Sequence, residues 1–423
     1  MKGKNVNNNK QNFDCNPKIN VNPKILVRNI NQNSRGPLFE MIVFFEPGVN
    51  MEDFINARNI TVLKIYNNLK AVLFLGTNDD FLFYRNSNAV SCIDLNILVN
   101  IPDNEEHLHL PTPRINREVS ESLERIGGGY WKENPEGVRN VSQLQNVNPV
   151  NTYVFDTGVG PHPELNIDPL RSRNFTSSDS SAYFDDNGHG TLVSGVLGSI
   201  TNDRLILGVA PDINIVSIKV LKTDGTGMIS DILCGIDYVM GLGDNSAVVN
   251  FSFGGVGTNK ALEEGVIRFL NFGAVVVCAA GNFSQNVDVF TPANISRGNQ
   301  KVITVGAYNS LINNFASFSD FGNKIDILAP GVDVKTLDLD DVNSLILATG
   351  TSLSAPFVTG VAALIRTLNP NLTNNQVRSQ IVSQAQNANL VGDNPLISGV
   401  PANTTNLSVW AGTAIQNLLD TQP

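Results

Sequence analysis

The hydrophobic positions along the chain fall into successive textures. From about residue 122 onward, short and nearly unbroken apolar runs alternate with helical patterns. The runs are TYVFD (152–156), INIVSIKV (213–220), AVVNFSF (247–253), AVVVCAA (274–280), VITVGA (302–307) and IDILA (325–329). Runs of this length, rich in Val and Ile, are typical of strands buried on both faces of a parallel sheet. Helical periodicity at 229–240, 260–272 and 352–368 supplies the flanking layers. The pattern therefore predicts one α/β domain over 122–412, a parallel sheet covered by helices. In such sheets chemistry gathers at the carboxyl ends of the strands. Asp156 closes the first run, Ser252 to Gly255 close the third, and Asn282 follows the fourth.

Upstream the pattern is different. MIVFFEPGV (41–49) reads as a strand entering a Pro-Gly turn, 51–58 as a helix and 62–76 as a hairpin. A second helix is expected at 79–86 and a last strand at 89–101. That order predicts a small α+β domain over 37–103. Residues 104–121 are polar, charged and punctuated by prolines, an exposed linker of the kind that proteases nick. The first 36 residues are rich in Asn and read as a flexible tail, and 413–423 as a short C-terminal one.

Composition narrows the partners. Of the 423 residues 42% are hydrophobic, enough for a sizeable core, and the net charge is −10. An acidic surface repels phosphate backbones and anionic lipid, so neither nucleic acid nor a membrane surface is expected as a partner. No run approaches the ~20 apolar residues that span a bilayer. The N-terminus lacks an apolar h-region and does not read as a signal peptide, which suggests a soluble protein, intracellular or exported by a non-standard route. Cys15, Cys92, Cys234 and Cys278 show no C-x-x-C spacing and read as free thiols.

Three short segments carry candidate chemistry: Asp156-Thr157-Gly158, Asn187-Gly188-His189-Gly190-Thr191 and Gly350-Thr351-Ser352-Leu353-Ser354-Ala355-Pro356. Taken singly, the first could be a turn, the second a loop and the third a helix cap. Together and in this order they resemble the Asp, His and Ser boxes of the subtilase family, whose order Asp, His, Ser is known from subtilisin itself. Ala279-Ala280-Gly281-Asn282 resembles that family's oxyanion segment. The resemblance covers about 122–412 and is nearest to the proteinase K branch. It implies a serine endopeptidase with Asp156, His189 and Ser352 as triad. A serine hydroxyl needs an adjacent base, an imidazole titrates near working pH, and a buried carboxylate fixes its tautomer. Of the four histidines, His107 and His109 lie in the linker and His162 beside prolines; only His189 stands between glycines.

The resemblance implies further roles. Asn282 would stabilise the transition state together with the Ser352 N–H. A peptide or protein substrate would add as a strand between two edges. Ser252, Phe253 and Gly254 match one edge, Gly225 and Gly227 the other, with Gly281 and residues near 291–293 as further pocket walls. Glycine-rich, uncharged walls suggest apolar or aromatic substrate side chains. The N-terminal α+β domain resembles an inhibitory propeptide that would occupy the active-site cleft, with self-cleavage within 101–120. Relatives often begin the mature chain near Trp-Gly-Leu-x-x-Ile; the stretch matching it here, 121–126, lacks the Trp and Gly.

There are departures. Leu192, Leu353 and Phe357 stand where a polar residue, Met and His are usual in the family. Asn309 replaces a carboxylate of the proteinase K calcium site. Asp179, Asp185 and Asp186 read first as a solvated loop and otherwise as another site for a structural calcium, and no cofactor is needed for the chemistry. Asn282 also lies in an Asn-Phe-Ser glycosylation sequon, and a glycan there would remove the donor. Two other readings stay open: a catalytically silent homologue that binds without cutting, and an esterase. The latter lacks support from any Gly-x-Ser-x-Gly elbow, because Ser352 sits in Gly-Thr-Ser-Leu-Ser.

Overall fold

The structure, a computed structural model, describes residues 37–58, 60–102, 106–109, 125, 149–176, 183–200, 205–391 and 396–412. The N-terminal tail, most of the linker, Cys15, Asp179 and the C-terminal tail lie outside the described residues. The chain divides into two compact units, Met1–Asn96 and Ile97–Pro423.

In the first unit β1 (Phe39–Phe45), α1 (Met51–Ala57), β2 (Thr61–Tyr66), β3 (Ala71–Gly76), α2 (Asn78–Arg85) and β4 (Val90–Leu95) follow in order. The strands form an antiparallel sheet in the order β2-β3-β1-β4. Met41, Val43 and Phe45 alternate along β1 and meet Ile55, Phe74 and Tyr84 in one core. Each helix begins at a side-chain cap. Asn50 accepts from the Glu52 N–H at 3.2 Å, and Thr77 and Asp80 form a reciprocal capping box.

The second unit begins with β5 (Leu98–Asn100), β6 (Glu106–His109), β7 (Asn151–Asp156), β8 (Arg173–Asn174), α3 (His189–Gly198), β9 (Asn214–Lys219), β10 (Thr226–Met228), α4 (Ile229–Gly241), β11 (Val248–Phe251), β12 (Gly255–Val256), α5 (Lys260–Phe272) and β13 (Val275–Ala279). It continues with β14 (Phe290–Thr291), β15 (Ser296–Arg297), β16 (Gln300–Lys301), β17 (Ile303–Asn309), β18 (Asn314–Phe315), β19 (Ile327–Pro330), β20 (Val334–Leu337), β21 (Leu345–Thr349), α6 (Thr351–Leu368) and α7 (Asn374–Val391). The main sheet runs β18-β17-β13-β11-β7-β9-β8, with β19 also on β17, and all its pairs are parallel except β17–β18.

Strand alternation assigns the two faces. Val154, Val248 and Val277 point into the cluster that holds Leu192, Val193, Phe357, Val358 and Val361 of α3 and α6. Phe155, one residue on, turns the other way and meets Phe251 edge-to-face and Phe269 of α5 at a tilt. Leu192 and Phe357 are thus core residues, 3% and 2% exposed. Helix α6 is long and apolar enough to cross a membrane, but its residues are buried in this core.

The α/β class and the six strands agree with expectation, and four details differ. The strand expected over 89–101 breaks into β4 and β5, and only β4 belongs to the N-terminal sheet; the compact unit ends at Asn96 rather than at 103. The linker expected over 104–121 contains β6, which pairs antiparallel with β21. Helix α6 starts at Thr351, so Ser352 is its second residue. Helix α7 was not expected, because its sequence is dominated by Asn, Gln and Ser; Val377, Ile381 and Ala385, spaced by four, hold it to the core.

Candidate active site

Asp156 is the last residue of β7 and fully buried, and His189 is the first residue of α3. The His189 Nδ1 and the Asp156 Oδ1 lie 2.7 Å apart, and the same oxygen accepts the Thr157 N–H at 2.7 Å. With Nδ1 committed to Asp156, Nε2 is the ring nitrogen turned away from it. The Asp156 carboxyl stands above its usual range, because burial outweighs the lowering by the facing His189.

The start of α3 is built by a residue the sequence offered as a metal ligand. Gly188 caps the helix with φ +108° and has no side chain to satisfy the first N–H groups. Asp185 does so instead. It accepts N–H groups from Asn187, Gly188 and Thr191 at 3.1, 2.9 and 2.8 Å, and the hydroxyls of Thr157 and Thr191 at 2.8 and 2.7 Å. One carboxylate thereby ties the Asp box to the His box. Gly190 is required by close approach, since a Cβ there would come 1.9 Å from the Gly158 carbonyl oxygen. Asp186 is paired with the buried Lys219 at 2.7 Å, and Lys219 also donates to the Thr157 carbonyl.

Ser352 lies in the first turn of α6, where N–H groups lack intrahelical acceptors and the helix dipole favours negative charge. Four residues on stands Pro356, which has no N–H to give the Ser352 carbonyl. That carbonyl instead accepts the Ser252 hydroxyl at 2.8 Å, and Ser252 in turn accepts from Asn250 Nδ2 at 2.8 Å. The missing helical rung is thus replaced by a bond to the end of β11.

Asn282 follows β13. Its Oδ1 accepts both the Thr351 N–H at 2.9 Å and the Thr351 hydroxyl at 2.7 Å, which fixes the amide's orientation. Its Nδ2 is buried and has no hydrogen-bond partner. A buried donor left unsatisfied beside a serine at a helix start is suited to an oxyanion that exists only during reaction. The turn is held from behind by Asp320, a residue sequence reasoning missed. Its Oδ1 accepts the Phe283 and Gln285 N–H groups, both at 3.0 Å, and its own N–H donates to the Gly281 carbonyl at 2.9 Å. Burial pushes the Asp320 carboxyl up to about 6. Nothing in the sequence marked it, because its partners are backbone groups 35 and 37 positions away.

The expected substrate edges face a strand of this chain. Antiparallel β5 pairs with β10, Asn100 opposite Thr226, Val99 opposite Gly227 and Leu98 opposite Met228. On its other side Asn100 exchanges two 3.0 Å hydrogen bonds with Gly254, and the Ile101 N–H donates to the Gly225 carbonyl at 3.1 Å. Gly225, Gly227 and Gly254 are therefore brought together around one extended strand. Phe253, also expected at this edge, is fully buried with its ring against Phe251, the centroids 5.1 Å apart. Gly281 takes φ +111° and donates to the Thr351 hydroxyl at 3.1 Å. Among the described residues no group of three His, Cys, Asp or Glu side chains is placed to hold a metal ion.

A family model described as "Subtilase family" matches residues 89–401. The chain belongs to the subtilase family. It is similar to a thermostable alkaline protease of Halalkalibacterium halodurans, 38% identical over 54% of this chain and 60% of that protein. It is also similar to subtilisin NAT of Bacillus subtilis subsp. natto, 34% identical over 62% of this chain and 68% of that one. Among solved structures it resembles a cold-adapted subtilisin-like serine proteinase, 31% identical with a TM-score of 0.53, over 63% of this chain and 90% of that one. In this subtilase, Asn282→Ala is expected to lower kcat about 10²–10³-fold, a scale known from subtilisin's own oxyanion asparagine. KM for a peptide substrate should barely move; a loss confined to KM would place the amide in ground-state binding instead.

Proposed function

We propose that this subtilase is a serine endopeptidase that works through an acyl-enzyme on Ser352 and is made as a self-processing precursor. The observation that carries the reading is the buried, unpartnered Asn282 amide beside the helix start that bears Ser352, with the Asp156–His189 hydrogen bond at the same end of the sheet. His189 Nε2 takes the Ser352 hydroxyl proton as Oγ attacks the substrate carbonyl carbon. Negative charge develops on the carbonyl oxygen and is met by Asn282 Nδ2 and the Ser352 N–H. The imidazolium, stabilised by Asp156, then protonates the leaving amine, and water repeats the sequence on the acyl-enzyme. Side chains and backbone handle every proton and charge, so this chemistry calls on no cofactor.

The position of β5 supports a propeptide role for the N-terminal region. An antiparallel strand bonded on both edges is the geometry of a substrate added by β-augmentation. With Asn100 opposite Gly254, two residues of antiparallel register put Pro102 opposite Ser252, whose hydroxyl holds the Ser352 carbonyl. The bond that follows Pro102 is the one this register offers to the nucleophile. Intact mass of the purified chain and of Ser352→Ala, after incubation near neutral pH, tests both parts. The expected result is loss of the residues up to Pro102 in the native chain only. Cleavage of neither would favour a homologue that binds without cutting, and equal cleavage of both would assign the cut to another protease.

A further inference from the structure

Strands β11 and β13 are parallel neighbours, with Phe251 beside Cys278. Counting on from that register sets Ser252, Phe253 and Gly254 beside Ala279, Ala280 and Gly281. The gap between these two extensions borders the strand position opposite Ser252, which the proposed reading sets just before the scissile bond. Glycines on both walls would leave it open to a large ring, which is why the sequence suggested apolar or aromatic substrate side chains.

The gap is filled from within. Phe290 is fully buried, and its ring lies against both walls. A Cβ on Gly254 would come within 2.5 Å of Phe290 Cε1 and Cζ, and one on Gly281 within 3.1 Å of Cδ1. The ring is fixed there. Phe290 pairs with Val256 across β12 and β14, the Gly257 N–H donates to the Val289 carbonyl at 2.6 Å, and Thr291 Oγ1 donates to the Gly257 carbonyl at 2.8 Å. Phe283 packs on its other side, with ring centroids 5.7 Å apart. Gly254 is thus needed to admit the protein's own aromatic side chain, while a Cβ on Gly281 would meet Asp320 Oδ2 at 2.4 Å before it met the ring. Continued two residues on from Asn100 opposite Gly254, the register sets Pro102, a compact side chain, opposite Ser252.

We infer that Phe290 occupies the primary specificity pocket of this subtilase, so that it cuts after small residues, Ala, Gly, Ser or Pro, and rejects aromatic and long aliphatic ones. The inference rests on the endopeptidase reading and overturns the aromatic preference expected from the glycines. A buried ring held by backbone pairing on one side and another ring on the other has no room to swing aside, since protein interiors are close-packed.

The test compares kcat/KM for peptides that differ only in the residue before the scissile bond, Ala against Phe, with the processed native enzyme and with Phe290→Ala and Phe290→Gly. The native enzyme is expected to favour Ala by at least about tenfold, the scale on which pockets discriminate by size. Both variants should reverse the order, mainly by gaining activity on Phe, a gain that general loss of structure would not produce. Where neither variant folds, the sites cut by the native enzyme in an unfolded protein decide alone, small residues being expected before the bond. Cleavage after Phe, Tyr or Leu at a rate equal to or above Ala overturns the inference while leaving the endopeptidase reading intact. No cleavage of any peptide overturns both.

Discussion

Ser352→Ala is expected to leave about one-millionth of the native kcat for peptide hydrolysis, the scale found when subtilisin's own nucleophile is removed. That is about 8 kcal/mol of barrier. The size follows from the arrangement at the start of α6. Without Oγ no covalent intermediate forms, and what remains is water attacking a carbonyl held near Asn282. The same reasoning predicts that His189→Ala costs about as much alone, and that the two together cost no more than either. A hydroxyl without its base, or a base without its hydroxyl, does the same nothing. Single-turnover rates for both variants and their combination check this; losses that multiply would mean the two side chains act separately.

Asp156→Asn is expected to lower kcat by about 10⁴ with KM within a few-fold of native. The hydrogen bonds around Asp156 give the reason. Its Oδ1 accepts from both His189 and Thr157, while its Oδ2 is buried with no partner. An asparagine that keeps its oxygen on Thr157 and His189 puts an NH₂ group into that unpartnered space. Flipped, it aims the NH₂ at the Thr157 N–H and forces His189 to present Nδ1 as an acceptor, leaving the proton on Nε2. Either way the imidazolium loses its counter-charge. Steady-state kinetics on a folded, processed enzyme would show it. A fall of less than tenfold would mean that orientation by Asp185 and the α3 start is sufficient without the Asp156 charge.

The catalytic centre was legible because its residues sit in short contiguous boxes at strand and helix ends, where local sequence and local structure coincide. The parallel sheet was legible for a similar reason: its buried strands are apolar without interruption. What was not legible depends on contacts distant in sequence. Asp320 works through backbone groups of the turn after β13, and Asp185 reads as a solvated acid until α3 folds over it. Nothing in the sequence singled out Phe290, and the glycines read as the walls of an open pocket. Only packing reveals that the one fills the other. Helix α7 was obscured by composition, since the three apolar side chains that dock it at a spacing of four are outnumbered by Asn, Gln and Ser.

Pro356 gives the nucleophile an unusual attachment. A serine at an ordinary helix start answers only to its own helix and can fray with it. Here the carbonyl of Ser352 is fastened to Ser252 and the end of β11, next to the edge that a substrate strand joins at Gly254. Any tug on that edge is a tug on the nucleophile. A peptide that zips onto Gly254 would therefore join the same stretch of chain, two residues from the hydroxyl that anchors the serine.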